Sequence, residues 1–312
     1  MTVSIKPIIC CGFTPCVQRI VEFSHVEKGV VNRASNVTVG IGGKGANTAR
    51  MVKQLGGRPV LVEFVGGANG VLLEQMLDAE DVGYRHILVE GETRICQTLV
   101  EAGNPETTEL VEEMPPISAD NCRHMMKLIA SLELGGSVVP VSGKLPAGAP
   151  EDAYAQVCAV VGEQDGRVIL DMPGEPLLRA LAHNPFLVKI NDVELLQTIV
   201  GDDLMKACGQ LLERGAQSAL ITRGSRTAFF MDRTRTLELV PPSIEAVNPV
   251  GSGDAVTAGI AVALNAGQDL SEAVISGMAC GAANALNLLS GFLKPEDVER
   301  LRGEVVLKPV GK

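Results

Sequence analysis

The chain predicts an α/β fold: a mostly parallel sheet with helices on both faces, plus a small β-sheet lid. Three observations carry this expectation. From residue 118 onward, short apolar runs alternate with segments of helical length, the order that builds right-handed strand–helix–strand crossovers. The runs at 5–12, 60–65, 137–141, 168–171, 186–190 and 218–222 are largely apolar without alternation, as strands buried on both faces must be. Two stretches depart from this, about 13–39 and 85–112. There, short runs of mixed polarity are broken by glycines, which describes half-exposed strands. The expectation is therefore one domain, 1–312, with a discontinuous lid inserted at those two places.

In order, the first strand leads into a lid segment in which Val17, Ile20, Val21 and Phe23 are interleaved with Gln18, Arg19 and Glu22. A helix is expected at 46–55, stopped by Gly56-Gly57, and another at 70–80, closed before Gly83. Lid strands are expected at 86–90, 94–101 and 107–111, split by Gly91 and by Gly103-Asn104-Pro105. Helices follow at 118–132, 152–162, from about 175, at 193–200 and at 204–214, with a hairpin at 227–240. After Asp254 come two helices of small residues, the second opened by Asp269-Leu270-Ser271-Glu272, a capping-box pattern.

Composition narrows the function classes. At 46% hydrophobic and 21% charged, the 312 residues can bury a large core. A net charge of −10 argues against nucleic acid or an anionic membrane as partner. Aromatics are 3% and Trp is absent, so a base-stacking surface is not expected. The eight cysteines form no C-x-x-C and the four histidines no metal-ligand spacing, which predicts reduced thiols, no zinc site and a cytoplasmic setting. The apolar run after the first lysine is too short for a signal peptide, and no run of about twenty apolar residues predicts a membrane span.

The stretch Asn248-Pro249-Val250-Gly251-Ser252-Gly253-Asp254 feeds glycines into the start of an apolar helix. Glycines allow successive N–H groups to converge, and the helix dipole adds positive potential, so an anion fits there. The aspartate that follows would repel a permanent anion but suits a phosphoryl group in transit, whose attacking hydroxyl must lose a proton. Asp254 is the candidate base, and Gly251, Ser252 and Gly253 the candidate anion hole; a simple helix cap is the competing reading. Gly40-Ile41-Gly42-Gly43-Lys44-Gly45 fits G-x-G-x-x-G, with Glu63 about eighteen residues on, and keeps a dinucleotide-binding reading open. The segment 33–39 before it, however, alternates in polarity. Lys44 and Asn47 suit hydroxyls or a phosphate equally well, and Ala46 rules out a P-loop. Arg94 offers a fork to a phosphate, with Lys28 and Arg33 as helpers. Ser142 and Lys144 follow a strand end. Lys189, Asn191 and Glu194 lie at a strand-to-helix junction, where Asn191 and Glu194 could also be only a capping box. Thr222 and Gly224 end another strand, and Asn284 is counted with the nucleotide-binding residues. Polar or glycine loops near 12, 142, 191, 222 and 251 would share one rim of the sheet, where open α/β folds bind ligands.

With these residues in view, the sequence resembles the PfkB family of carbohydrate kinases, the ribokinase-like fold, over nearly its whole length. Gly42-Gly43-Lys44-Gly45-Ala46-Asn47 resembles the family's sugar-binding signature, Asn248–Asp254 its C-terminal signature, and Asn191-x-x-Glu194 its phosphate and magnesium motif. Gly91-Glu92-Thr93-Arg94, Val31-Asn32-Arg33 and Ser142-Gly143-x-Leu145-Pro146-x-Gly148 resemble the branch acting on phosphorylated ketohexoses, 1-phosphofructokinase and tagatose-6-phosphate kinase. The resemblance implies that Asp254 is the base, that Arg94 and Lys28 face a sugar phosphate, and that Gly43 and Asn47 hold sugar hydroxyls. Thr14-Pro15-Cys16-Val17-Gln18 departs from the branch, placing a neutral Gln18 where an aspartate is usual, and Lys144 replaces a typical serine. The expected function is ATP- and Mg²⁺-dependent phosphorylation of a sugar, with fructose 1-phosphate, fructose 6-phosphate or tagatose 6-phosphate as acceptor. Glu194 would act on the metal through water, and a homodimer would form through the lid. The rivals are an NAD(P)-dependent oxidoreductase using Gly40 to Gly45 and a non-catalytic sugar or nucleotide sensor.

Overall fold

A computed structural model describes residues 6–103 and 107–310. Residue 5 and the Asn104-Pro105 turn, which the expected strand and lid boundaries include, lie outside the described residues. The strands are β1 (Ile8–Cys11), β2 (Cys16–Phe23), β3 (Asn36–Gly42), β4 (Pro59–Val65), β5 (Gly83–Leu88), β6 (Ile95–Glu101), β7 (Thr107–Val111), β8 (Val138–Ser142), β9 (Arg167–Asp171), β10 (Leu187–Asn191), β11 (Ser218–Thr222), β12 (Ala228–Asp232), β13 (Thr236–Val240) and β14 (Val306–Pro309). The α-helices are α1 (Lys44–Gln54), α2 (Gly67–Ala79), α3 (Ala119–Ala130), α4 (Ala153–Glu163), α5 (Glu175–Ala180), α6 (Asp192–Thr198), α7 (Leu204–Glu213), α8 (Ser252–Asn265), α9 (Leu270–Ala285) and α10 (Pro295–Arg302).

Two sheets form. The large one runs β14-β13-β12-β11-β10-β9-β8-β1-β4-β5, parallel from β5 to β11 and antiparallel through β12, β13 and β14. The small one runs β3-β2-β6-β7, with β2 antiparallel to β3 but parallel to β6. The non-alternating strands behave as their composition requires. Ile8 and Cys10 pack into one buried cluster with α1, α8 and α9, while Ile9 and Cys11 pack into another with α3, α4 and α7. Each fully buried aliphatic side chain there contributes roughly 1.5–3 kcal/mol.

Segment 83–88 differs from expectation. It belongs to the large sheet, parallel to β4, not to the small one. Its mixed polarity arises because β5 is the sheet's edge strand, only partly covered, a position that looks like a lid strand from pattern alone. The C-terminal α10 and β14 carry no motif and were not expected.

Close backbone approaches explain the small residues. A Cβ on Gly45 would lie 2.6 Å from the Gly12 Cα, so α1 crosses the end of β1 only because both are glycine. A Cβ on Gly277 would meet the Ile260 Cγ1 at 2.6 Å, and one on Gly259 the Cys280 Sγ at 2.6 Å, which is how α8 and α9 pack tightly. Asp269 caps α9 through the N–H groups of Ser271 and Glu272 (2.8 and 3.1 Å), while the Glu272 carboxylate turns to Arg302.

Candidate active site

The parallel strands end on one rim, and after β1 the chain moves first to β4 and β5 on one side and later returns through β8 to β11 on the other. Strand order thus reverses beside β1, where open α/β sheets hold their ligands. A cleft of about 870 Å³ lies there, lined from this rim, from α8 and α9, and from the small sheet.

Asp254 occupies the first turn of α8 and is buried, 5% exposed. It caps nothing: the N-cap is Gly251, in left-handed backbone (φ 83°) that favours glycine, and no side chain caps this helix. The Asn47 Nδ2 donates to the Asp254 Oδ2 at 2.8 Å. Burial pushes the Asp254 carboxyl up, the Lys44 ammonium opposes it, the Asp171 carboxylate reinforces it, and the outcome is about 6. Such a group ionises near neutral pH and still attracts a proton.

Of the three N–H groups expected to form an anion hole, that of Ser252 already donates to the Pro249 carbonyl at 3.1 Å. The Ser252 Oγ accepts from the Asn284 Nδ2 at 3.3 Å. That amide also donates to the Val250 carbonyl at 2.9 Å, while its Oδ1 accepts from the Gly291 N–H at 3.2 Å. Asn284 is fully buried, so it braces the glycine turn and does not line the cleft. The Lys189 Nζ lies against Gly253, where a Cβ would stand 2.7 Å from it.

Beneath the turn lies a residue with no sequence-level signal, Asp171 at the end of β9. It is buried and binds the Lys44 Nζ through Oδ1 at 3.0 Å and the Lys189 Nζ through Oδ2 at 2.9 Å; Thr257 Oγ1 donates to Oδ2 at 3.2 Å. Burial alone would raise its carboxyl, but the Lys189 and Lys44 ammonium groups outweigh it and hold Asp171 well below the usual carboxylate range. Lys44 is raised in turn: burial would lower it, and Asp171, Asp254 and Glu194 prevail.

Asn191 and Glu194 form the capping box of α6, the Asn191 Oδ1 accepting from the Glu194 N–H at 2.8 Å, and both also line the cleft. The capping role is therefore compatible with a place on the cleft wall. Glu194 Oε1 lies 4.0 Å from the Lys44 Nζ. Thr222, Gly224 and Ser225 line the wall beside them. The end formed by Pro241, Ile244, Met278, Ala282 and Ala285 is mostly apolar; Pro241-Pro242 after the hairpin was its one visible trace.

At the opposite end stand Gln18, Gly42, Gly43, Asn47 and Arg94. The Gln18 Nε2 donates to the Thr98 Oγ1 at 2.8 Å, and Cys16 and Cys96 line the same wall. Arg94 departs from expectation: its guanidinium donates to the carbonyls of Pro15 (3.3 Å), Glu112 (3.1 Å) and Thr14 (2.9 Å), so part of its fork is spent joining small sheet and rim. Besides Asn284, three expected residues do not line the cleft. Lys28 sits on an exposed turn, Lys144 is exposed and paired with Glu113 at 2.8 Å, and Ser142 is buried with its carbonyl accepting from the Tyr154 hydroxyl. Arg33 is exposed as well. Two buried acceptors beside the cleft have no protein partner, the Asn47 Oδ1 and the Ser142 Oγ.

The dinucleotide context is absent. The strand before Gly40–Gly45 is β3 of the small antiparallel pair, not a strand of the parallel sheet. Glu63 is fully buried, with its Oε1 3.4 Å from the His86 Nε2, and does not line the cleft. Among the described residues no cluster of three or more His, Cys, Asp or Glu could hold a metal, and no helix is long and apolar enough to cross a membrane.

Comparison with known proteins identifies the family and the fold. Residues 13–296 match the pfkB family carbohydrate kinases. Phosphofructokinase-2 from Escherichia coli, in complex with fructose-6-phosphate, superposes with a TM-score of 0.87 at 25% identity, covering 95% of this chain and 98% of that one. A possible 1-phosphofructokinase from Thermotoga maritima gives 0.88 at 19% identity, covering 98% and 100%. Ribokinase from the same organism gives 0.77 at 19%, covering 94% and 98%, and so shares the fold. The chain, with its buried aspartate at a glycine-started helix on the rim of a ribokinase-like sheet, belongs to the pfkB family of carbohydrate kinases and is a sugar kinase.

Proposed function

We propose that the chain transfers the γ-phosphoryl group of ATP to a hydroxyl of a phosphorylated ketohexose, with Asp254 as the base. The observation that carries this reading is Asp254 itself: buried, raised to about 6, hydrogen-bonded by Asn47 and set at the start of α8 in the cleft. In this reading the apolar end at Met278 and Ala282 takes the adenine. Asn191, Thr222, Gly224 and Lys189 hold the phosphates, and the Gln18–Asn47 end holds the sugar. The unpartnered Asn47 Oδ1 suits a sugar hydroxyl.

Asp254 accepts the proton of the attacking hydroxyl as the bond to phosphorus forms, and the N–H groups of Gly251 and Gly253 with the Lys189 ammonium face the charge on the transferred group. Ser252 helps through its fixed backbone, since its N–H is engaged by Pro249. Glu194, one carboxylate in a polar cleft, suits Mg²⁺ held through water, because that ion keeps most of its waters. When bound, the ion would supply charge neutralisation between the phosphates. The acceptor is proposed on the complex of the E. coli relative with fructose-6-phosphate. Arg94 keeps N–H groups beyond the three spent on carbonyls.

The small sheet is proposed to act as a lid that excludes water from the cleft, with the four strands as one discontinuous insert in a single domain. Val37 and Val39, 49% and 45% exposed on the edge strand β3, would be covered by a second copy of the chain. An ADP-release assay over fructose 1-phosphate, fructose 6-phosphate, tagatose 6-phosphate and free sugars tests the reading. Turnover confined to free sugars would overturn the phosphosugar assignment while leaving the kinase intact.

A further inference from the structure

Two lysines reach the phosphoryl path, from α1 and from β10, and both are anchored on a single carboxylate. Lys44 and Lys189 bind separate oxygens of Asp171, at 3.0 and 2.9 Å, and all three groups are within hydrogen-bonded reach beneath the glycine turn. Thr257, one turn beyond Asp254 on α8, bonds the same carboxylate, so Asp171 ties the base's own helix to both lysines. Two unpaired ammonium groups beside Asp254, Lys189 buried and Lys44 half-buried, would be costly and mobile; the shared counter-ion fixes both in place.

We propose that Asp171 is a positioning residue for phosphoryl transfer: it holds the Lys44 and Lys189 ammonium groups at the anion hole and keeps them from neutralising Asp254. This rests on the proposed role of Asp254. The charged groups facing Asp254 are Lys44 from α1, Asp171 from β9 and Lys189 from β10, with the neutral Asn47 bonded to it. Glu194 bears on Lys44 from α6. Asp171 is thus the anion that both cations around the base share, while Glu194 bears on Lys44 alone.

The signs follow. Asp171 favours the protonated form of Asp254 and Lys189 the ionised form. Asp171→Asn should therefore move the acid limb of kcat/KM to lower pH by about one unit, while kcat falls about a hundredfold as the lysines lose their anchor. Lys189→Met should move the limb the other way, to higher pH. Thr257→Val, which loosens Asp171 without changing any charge, should lower kcat and leave the limb unmoved. A role in stability alone would lower the melting temperature of all three variants with the limb at its wild-type position, and that result overturns the proposal. Should Asp171→Asn fail to fold, an unmoved limb in Lys189→Met is enough to overturn it. Asp254→Asn is assayed in parallel. It is expected to lower turnover about 10³-fold whether or not Asp171 positions the lysines, so loss of the base assignment and loss of this proposal are separable.

Discussion

Asp254 is held in a state that costs stability. Its carboxyl, ordinarily near 3.8, is raised to about 6 by burial in the folded chain, so the ionised form that the proposed base role requires is disfavoured by on the order of 3 kcal/mol. The sign is fixed by the raised value: the contribution to stability is complete below the unfolded pKa and is lost as pH rises through about 6. Asp254→Asn, neutral at every pH, is expected to raise unfolding free energy by on the order of 1–3 kcal/mol at about pH 7.5 and by much less near pH 4. Urea titrations at the two pH values check this; an Asn variant destabilised equally at both would contradict it. The same residue was legible in sequence because a glycine turn, an acid and an apolar helix follow one another in seven positions. Asp171 was not. It reads as the polar end of an apolar strand, and its partners Lys44 and Lys189 stand 127 and 18 residues away, a proximity only the folded sheet creates. Lys28 and Lys144 were legible as cations but not in direction, since one stays in solvent and Glu113 claims the other; Arg94 does line the cleft, but backbone carbonyls take part of its fork.

At the scale of elements, the crossing of α1 over β1 is the tightest joint in the site. Gly45→Ala would place a Cβ 2.6 Å from the Gly12 Cα, against backbone that cannot rotate away. The expected loss is about 3 kcal/mol, with Lys44 and Asn47 displaced along the helix; equilibrium unfolding and the KM for sugar should both respond. The capping box of α6 should likewise couple stability to nucleotide. Asn191→Ala should cost about 1 kcal/mol and raise the KM for ATP. A variant that loses the stability without the KM effect would return Asn191 to a purely capping role. Periodicity located these helices well because their buried faces demand it. It misplaced β5, since an edge strand of a large sheet and a strand of a small one carry the same mixed polarity.

Across the whole molecule, chemistry gathers where strand order reverses, and the small sheet supplies the facing wall from sequence far upstream of Asp254. Both glycine signatures were visible as local patterns, but their meeting, Asn47 on Asp254 across 207 residues, was not. The exposed valines of β3 carry the oligomer expectation. If β3 carries the proposed dimer interface, Val37→Lys with Val39→Lys should convert a dimer to a monomer in sedimentation velocity and raise the KM for sugar more than that for ATP, because in the proposed reading the small sheet covers the sugar end. An unchanged sedimentation coefficient would place the interface elsewhere.

The central claim is that Asp254 is the base of an ATP-dependent sugar phosphorylation in this cleft. A coupled ADP-release assay with the phosphorylated ketohexoses, run on wild type and on Asp254→Asn, tests it most directly. The account predicts sugar-dependent turnover in the wild type and a loss of about 10³-fold in the variant, with ATP binding by calorimetry retained. A variant that turns over at near wild-type rate, or a wild type that releases no ADP with any sugar, would contradict it.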